Sequence, residues 1–413
     1  MKLDTAAFLE VFERIASIGA TPDGGCERLS MSPEDIEARA LLTGLLEEEG
    51  FAVWQEPTGS IWARLEGEDP SLAPVLVGSH IDTVRNAGKY DGLLGVMLGY
   101  WAMRQIRREG IPHRRPIELV VFPTEESARF NYPTVGSKLL AGRVGPDKLR
   151  ECIDAGGVSL YDALRAQGLD PDDIEPGRRR LREAFCFAEL HIEQGPSLES
   201  RRTPIGIVEA IAAPTRLTVE ITGEYAHSGA CPMHLRHDAL AAAAELILAV
   251  EKIGRLESVN HSVAAVTRCR LVNESMNVIP GHAVLGIDIR GIDQDSIDRC
   301  VEGVRRSLRK ICSTRGVQGS VEVISRDSPV QMSPTMMHAI RKCCEHCRLP
   351  YHLMPSGAGH DAMNVAPLTD TGMIFIPCKN GVSHNPRRTG RVPGIRVGCQ
   401  VLSELLPGRA KHR

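Results

Sequence analysis

Histidine and carboxylate side chains follow two short apolar runs of this sequence, at the point where each run ends. His80 and Asp82 come just after the run VLV, and Glu125 and Glu126 come just after the run LVVF. Imidazole and carboxylate groups are usual protein ligands of Zn²⁺, Mn²⁺, Co²⁺ and Ni²⁺. The residue types therefore indicate a metal site, and such a site with a spare carboxylate suits hydrolysis.

Three more candidate ligands occupy similar positions. His191 follows the run FAEL, His384 lies in the loop after the run MIFI, and Asp91 lies just before a predicted helix. Short apolar runs bounded by turn-forming residues are typical of buried strands in a parallel sheet. The carboxyl ends of such strands form the ligand crevice of open α/β sheets, so the candidates should meet there.

Each candidate has an ordinary explanation when it is taken alone. His80 could be a core histidine, residues 125–126 a solvated acidic turn, and residues 91–92 a common Asp-Gly turn. The metal site is favoured because independent strand ends supply the same ligand chemistry. Three histidines with two or three carboxylates exceed the need of one tetrahedral ion, but they suit two ions about 3.5–4 Å apart.

The bulk composition limits the classes of function. A chain of 413 residues exceeds what one hydrophobic core usually supports, so two domains are expected. A net charge of −3 gives no support to nucleic-acid binding. No apolar stretch has the roughly 20 residues of a membrane span, and Asp4 and Glu10 interrupt any signal-peptide core. A cytoplasmic enzyme with reduced cysteines is expected, and the CCEHC cluster at 343–347 is interpreted as structural.

The pattern of apolar residues changes along the chain. Apolar strands alternate with helical stretches from about 75 to 212, which is typical of βαβ units. Half-exposed alternating strands and two amphipathic helices follow, which suggests a compact α+β sandwich. We predict a mainly parallel α/β catalytic domain with helices on both faces (1–212 and 329–413), with the sandwich inserted at 213–328. The basic segment 407–413 is expected to fray.

Five short motifs resemble those of the dinuclear-metal amidohydrolases of the M20 peptidase superfamily. The most similar branch contains the N-carbamoyl-L-amino-acid hydrolases, β-ureidopropionases and allantoate amidohydrolases. The resemblance covers nearly the whole chain, and the motifs stand in the family's order. They are GSHIDT at 78–83, YDG at 90–92, TEE at 124–126, HIEQGP at 191–196 and GVSHNP at 381–386.

The resemblance implies a role for each motif residue. Glu125 would be the general base, and Asp82 would orient His80 from behind the metal site. The order of base and ligand between Glu125 and Glu126 comes from the family and not from the residues themselves. The implied ligands of two divalent ions (Zn, Mn, Co or Ni) are His80, Glu126, His191 and His384, with Asp91 bridging.

The inserted domain resembles the family's lid and dimerisation domain. By that match His227 would stabilise the developing oxyanion across a homodimer interface, and Arg290 would bind a substrate carboxylate. Taken alone, His227 is a capping or surface histidine and Arg290 a surface ion pair. The remaining implied substrate-binding residues are Asn277, Gln194, Gly357, Ala358 and Gly359.

The implied activity is hydrolysis of the linear amide or ureido C–N bond of N-carbamoyl-L-amino acids or β-ureido acids, releasing amino acid, ammonia and carbon dioxide. The alternatives are an allantoate amidohydrolase, an aminoacylase or dipeptidase of the same superfamily, and a catalytically inactive binding protein. An inactive protein should have lost a ligand or the base, and the sequence has all of them. Arg387 and Arg388 replace the usual acidic residue and Cys378 the usual Ser, which leaves the substrate open.

Overall fold

The computed structural model describes residues 3–272, 275–381 and 394–411, with only the backbone at position 380. These residues form two compact units, each with its own core. The first unit is discontinuous and comprises Met1–Glu209 and Met332–Arg413. The second unit, Ala210–Gln331, is inserted between those segments.

Strands and helices alternate along most of the described chain. The strands are β1 (Ala52–Gln55), β2 (Ile61–Leu65), β3 (Val75–His80), β4 (Ile117–Phe122), β5 (Cys186–Ile192), β6 (Ile205–Ile211), β7 (Ala213–Thr222), β8 (Ala226–His227), β9 (Val263–Leu271), β10 (Val278–Ile279), β11 (His282–Gly291), β12 (Gln318–Arg326), β13 (Val330–Gln331), β14 (Tyr351–Ser356) and β15 (Asp370–Ile376). The helices are α1 (Thr5–Ala16), α2 (Pro33–Glu48), α3 (Leu93–Arg108), α4 (Val135–Leu140), α5 (Pro146–Glu151), α6 (Leu160–Arg165), α7 (Glu175–Arg182), α8 (Ser197–Arg201), α9 (Ala239–Glu257), α10 (Gln294–Arg315), α11 (Pro334–His346), α12 (Ala362–Val365) and α13 (Ile395–Ala410). Among these helices, none is long and apolar enough to cross a membrane.

The sheet of the first unit has a parallel centre and antiparallel flanks. Its strand order is β1-β2-β4-β3-β5-β15-β6, and β14 also pairs with β6. The central strands β4, β3, β5 and β15 run parallel to one another. His80 pairs in register with Phe122, and Ile192 pairs with Ile376. The carboxyl ends of these four strands therefore lie along one edge of the sheet.

Helices cover both faces of this sheet, as the sequence predicted. The alternation of β5 places Ala188 and Leu190 in the apolar core shared with α3 and α13. Glu189 and His191 point to the opposite face, where Glu189 contacts the first residue of α12. A strand buried on both faces explains why its sequence is a nearly continuous apolar run.

The second unit is a two-layer α+β structure. Its antiparallel sheet has the order β12-β7-β11-β9, and α9 and α10 pack on that sheet. Asp238 and Asp293 begin the two helices by accepting backbone N–H groups in the first turn. The short strands β8 and β10 form a separate pair.

The expectation that the chain frays after residue 407 is wrong. Residues 407–410 belong to α13, and the carbonyl of Ala410 accepts the backbone N–H groups of Arg114 and Arg115. Arg409 is buried, with its guanidinium 5.0 Å from the ring centre of Phe185. The basic composition hid this packing because the stem and planar head of arginine can cover an aromatic ring.

Candidate metal centre

Three of the predicted ligands meet at the carboxyl edge of the sheet. Potential ligand atoms of His80, Asp91 and His191 all lie within 4.8 Å of one another, and all three side chains are buried. Nε2 of His191 lies 3.1 Å from Oδ1 of Asp91. His80 comes from the end of β3 and His191 from the end of β5, so the parallel register brings them together.

The two imidazole rings are oriented for metal binding through Nε2. Nδ1 of His80 lies 3.0 Å from the carbonyl oxygen of Asp82, and Nδ1 of His191 lies 2.9 Å from that of Ile192. A carbonyl oxygen can only accept, so each Nδ1 carries the proton and donates it. Each Nε2 then carries a lone pair and no proton, which is the tautomer that a divalent cation requires. The donor set therefore fits a divalent metal ion.

Gly92 shows that residues 91–92 are more than a common turn. Its φ is +61°, and a Cβ at this position would lie 2.4 Å from Nε2 of His80. Its own N–H donates to Nε2 of His191 over 3.2 Å, which also requires that nitrogen to be unprotonated. A side chain at position 92 would displace the ring of His80, so glycine is what lets Asp91 lie beside the imidazoles.

Asp82 connects the end of β3 to the acidic turn after β4. Its Oδ1 accepts the N–H of Glu125 over 3.2 Å, and its Oδ2 accepts the N–H of Glu126 over 2.9 Å. Oδ1 also lies 3.6 Å from Nδ1 of His80. Asp82 therefore fixes the acidic turn as well as facing His80, a double contact that the sequence did not predict.

Glu125 lies beside the cluster. Its Oε2 is 3.7 Å from Nε2 of His80, and the residue is buried. Burial raises the pKa of Glu125 well above its usual value, the charge of His80 opposes this, and Glu126 and Asp361 add to it. Glu126 is half-buried and lies outside the three-residue cluster.

The carboxylates around the imidazoles make the site strongly anionic. Burial would lower the pKa of His80, but Glu125 and Asp82 raise it well above its usual value. Burial would also lower the pKa of His191, but Asp91 raises it above its usual value. The buried carboxylates therefore leave an excess of negative charge around the two imidazoles, which a divalent cation would balance.

Gln194 is the predicted pocket residue with a direct contact to this cluster. Its Nε2 donates to both oxygens of Asp91, at 3.0 and 3.3 Å. Glu193 accepts the N–H groups of Ser197 and Leu198 and so fixes the loop after β5. Gln194 therefore helps to hold the predicted bridging carboxylate in place.

The loop that contains Gly357, Ala358 and Gly359 begins at the end of β14 and leads to His360. The ring centre of His360 lies 4.6 Å from that of His191, and its Nε2 lies 3.0 Å from Oγ of Ser356. Burial lowers the pKa of His360 well below its usual value, and the neighbouring His191 adds to this. The motifs predicted residues 357–359 in the pocket but gave no role to His360, which packs as a neutral histidine against His191.

The fourth parallel strand leads toward the remaining predicted ligand. His384, with Arg387 and Arg388, lies outside the described residues. β15 ends at Ile376 beside Ile192, and Sγ of the buried Cys378 donates to the carbonyl of Gly195 over 3.5 Å. Cys378 thus packs against the backbone of the loop that carries Gln194.

In the second unit, His227 and Asn277 lie on adjacent segments. His227 pairs with Val278 between β8 and β10, and the N–H of Ser228 donates to the carbonyl of Asn277 over 2.9 Å. Nδ1 of His227 accepts the N–H groups of Gly229 and Ala230. The neutral ring therefore carries its proton on Nε2, and this exposed side chain is a hydrogen-bond donor.

Arg290 lies near the end of β11, on the four-stranded sheet of the same unit. Its Nε donates to Oδ2 of Asp288 over 2.9 Å, and Asp288 also lies 3.8 Å from Arg216. Arg290 is thus held in an ion pair, as its sequence context taken alone suggested. Its guanidinium is half-buried.

The whole chain also matches known proteins. The model of peptidase family M20/M25/M40 matches residues 76–407, so the chain belongs to this family and the resemblance in the motifs is confirmed. It is 37% identical over 396 residues to an N-carbamoyl-L-amino-acid amidohydrolase of Pseudomonas sp. (strain NS671), covering 95% of each chain. It is 34% identical over 401 residues to the allantoate amidohydrolase of Escherichia coli (strain K12), covering 97% of each. The crystal structure of an amidase of the hydantoinase/carbamoylase family from Burkholderia multivorans is similar, with a TM-score of 0.92 and 31% identity over 100% of this chain and 99% of that one.

Proposed function

We propose that this chain is a metal-dependent amidohydrolase that cleaves the linear ureido C–N bond of N-carbamoyl-L-amino acids. The observation that carries the proposal is the pair of Nε2 atoms of His80 and His191, directed at Asp91 with Glu125 alongside. The 37% identical N-carbamoyl-L-amino-acid amidohydrolase supports the substrate class. The products would be the amino acid, ammonia and carbon dioxide.

The metal site would hold two divalent ions, Zn, Mn, Co or Ni. His80, Asp91 and His191 would bind them, with Glu126 and His384 as further ligands by resemblance. Such ions, when bound, lower the pKa of water and polarise a carbonyl. The native metal would be set by availability and geometry, since these ligand types accept several first-row ions.

Glu125 would manage the proton during hydrolysis. Its carboxylate takes a proton from the attacking water and passes it to the leaving nitrogen. The raised pKa that burial gives this side chain lets it hold the proton between those two steps. Asp82 keeps the turn in place through the N–H groups of residues 125–126, so the base does not drift from the reacting atoms.

The second unit would supply the groups that bind the rest of the substrate. The Nε2–H of His227 would donate to the developing oxyanion, and Arg290 would bind the substrate carboxylate with Asn277 close by. Gln194 and the backbone of residues 357–359 would complete the pocket. We further propose that the enzyme is a cytoplasmic homodimer that associates through this unit.

An allantoate amidohydrolase is the second candidate. The relative of that name in Escherichia coli is 34% identical over nearly the whole chain, which is almost as similar as the carbamoyl-amino-acid hydrolase. Both kinds of substrate have a ureido group and a carboxylate. The metal cluster and Arg290 would therefore serve either reaction.

Ammonia release by the purified protein tests the proposal. The protein is stripped of metal, reloaded with Mn²⁺, Co²⁺, Ni²⁺ or Zn²⁺, and given N-carbamoyl-L-amino acids, N-carbamoyl-β-alanine and allantoate in parallel. We expect metal-dependent release from the first group, and loss of at least about 10²-fold in rate with Glu125→Gln, the usual contribution of a general base. Full activity of Glu125→Gln would refute the role of this residue, and preference for allantoate would select the second candidate.

A separate variant tests the carboxylate-binding role. We expect Arg290→Ala to weaken kcat/KM for carboxylate substrates by about 1.5–3 kcal/mol, the range for hydrogen bonds to a charged group. The matched control is the same substrate with a carboxamide in place of the carboxylate, for which the variant should lose much less. An equal loss on both substrates would show that Arg290 acts only through its ion pair with Asp288.

A further inference from the structure

Glu189 is a fully buried carboxylate within β5, on the same face as His191 two residues further on. Each of its oxygens bonds to a different element. Oε1 accepts the hydroxyl of Ser79 over 2.8 Å, one residue before His80. Oε2 accepts the backbone N–H of Ala362 over 2.9 Å, at the start of α12.

Both of these hydrogen bonds come from uncharged donors. Burial of a carboxylate is costly, and that cost is usually offset by an arginine or lysine partner. Here two uncharged donors, a hydroxyl and a backbone amide, share that offset with the nearby imidazole of His191. The geometry therefore indicates that the side chain is needed to join β3, β5 and the segment before α12.

The segment that Glu189 holds is the loop predicted to line the substrate pocket. Ala362 directly follows Asp361 and His360, and His360 packs against the ring of His191. A second attachment lies one residue earlier, where the hydroxyl of Ser137 donates to Oδ1 of Asp361 over 2.5 Å. The loop at 357–359 is thus anchored from two sides at its C-terminal end.

We propose that Glu189 is a positioning residue that holds the 357–362 segment in register with the strands that carry His80 and His191. Its hydrogen bonds do this work, and its charge does not. This inference rests on the proposed function in one respect, since it takes the 357–359 backbone to contact the substrate.

Three substitutions separate hydrogen bonding from charge. Glu189→Gln keeps the length and can accept from Ala362 while donating to Ser79, so it should behave like the natural protein. Glu189→Asp keeps the charge but is one methylene too short to reach both partners, so it should no longer hold the 357–362 segment. Glu189→Met fills the space but accepts no hydrogen bond, so it should also leave the 357–362 segment unanchored.

Hydrogen exchange followed by mass spectrometry gives a reading that needs no turnover. We expect faster exchange in a peptide spanning 357–362 for the Asp and Met variants, with β4 unchanged, because only the local anchor is lost. Ser79→Ala is the matched control, since it removes the bond at Oε1 and leaves that of Ala362. Faster exchange throughout the unit would instead show a merely structural role.

Kinetics supply the second reading. The Asp variant should raise KM more than it lowers kcat, with kcat/KM down roughly 10-fold, about the loss of one hydrogen bond. If Glu189→Gln lost kcat/KM while Glu189→Asp kept it, the proposal would be overturned, because the charge of Glu189 would then be what matters. If no ureido acid were hydrolysed by the natural protein, the proposed function would fail while the exchange data still decided the role of Glu189; if Met does not fold, Asp and Gln alone decide it.

Discussion

At the scale of single residues, the room beside the His80 ring matters to the candidate metal centre as much as the ligand types do. Gly92 lies under the ring of His80 at a distance where no β-carbon fits, and its positive φ suits glycine. The short spacing between Asp91 and the helix that starts at Leu93 depends on this residue. The cluster of His80, Asp91 and His191 therefore requires a residue without a β-carbon at position 92.

Gly92→Ala tests this dependence. We expect it to displace His80 and to lower metal affinity at least about tenfold, as measured by calorimetric titration of the metal-free protein. Gly110→Ala is the matched control because Gly110 has a similar φ of +64° but nothing within 4 Å of a β-carbon. Both variants carry a backbone cost of about 1–2 kcal/mol, so equal metal affinity in the two would contradict the steric explanation.

A second residue-scale prediction concerns pH. Burial raises the pKa of Glu56 to about 7, although Trp62 and Arg180 offset part of the effect. Because the folded-state pKa lies above the unfolded value, Glu56 favours folding most below the unfolded pKa, and this contribution is lost as pH rises through about 7. Glu56→Gln should therefore raise the free energy of unfolding at pH 8 by on the order of 3 kcal/mol but change it little at pH 4. Urea unfolding at both pH values checks this; an equal effect at both would refute it.

The residues of the site differ in how far the sequence could predict them. His80 and His191 stand at strand ends and Asp91 stands just before α3, where residue type and position point to a ligand. Glu189 and His360 could not be found in this way, since a polar residue inside an apolar strand or a loop has no local pattern. Their roles depend on contacts between segments far apart in the chain.

At the scale of elements, the starts of helices carry a clearer signal in the sequence than their ends. Ser32, Asp238 and Asp293 begin helices because each side chain accepts an N–H of the first turn. The last turn of α13 was missed because its stability comes from packing on Phe185 and not from its own sequence.

Helix α3 provides a prediction at this scale. A β-carbon on Gly95 would lie 2.1 Å from the carbonyl oxygen of Leu190, so this glycine lets α3 approach β5 closely. Gly95→Ala should destabilise the protein by about 1–3 kcal/mol through overpacking, as measured by urea unfolding. Gly44→Ala in α2, with nothing within 4 Å, should stabilise it by about 0.5–1 kcal/mol. A higher free energy of unfolding for both variants would show that α3 can shift away from β5 without cost.

At the scale of the whole molecule, the His80–Asp91–His191 cluster and all three tryptophans belong to the first unit. Trp54, Trp62 and Trp101 lie there, while the second unit has its own apolar core around Leu217 and Val219. Intrinsic tryptophan fluorescence therefore reports the unfolding of one unit only. The change from continuous to alternating hydrophobicity in the sequence lies near residue 213, close to the start of the second unit at Ala210.

Metal removal should affect the two units differently. A chelator should lower the midpoint of the fluorescence transition, since a ligand at one hundred times its Kd stabilises the folded state by about 2.7 kcal/mol. Differential scanning calorimetry should show the transition of the second unit unmoved. His80→Ala is the control, for which the chelator should have little effect. A shift of both transitions in the natural protein would contradict this expectation.

The position of β15 has a consequence for synthesis on the ribosome. This strand lies between β5 and β6 in the sheet, yet it follows both by more than a hundred residues in the chain. The facing edges of β5 and β6 must wait for it, whereas every segment of the second unit is translated without interruption. The inserted unit can therefore finish folding on the nascent chain while the sheet of the first unit still has unpaired strand edges. Such edges are the sites where chaperones bind or aggregation begins.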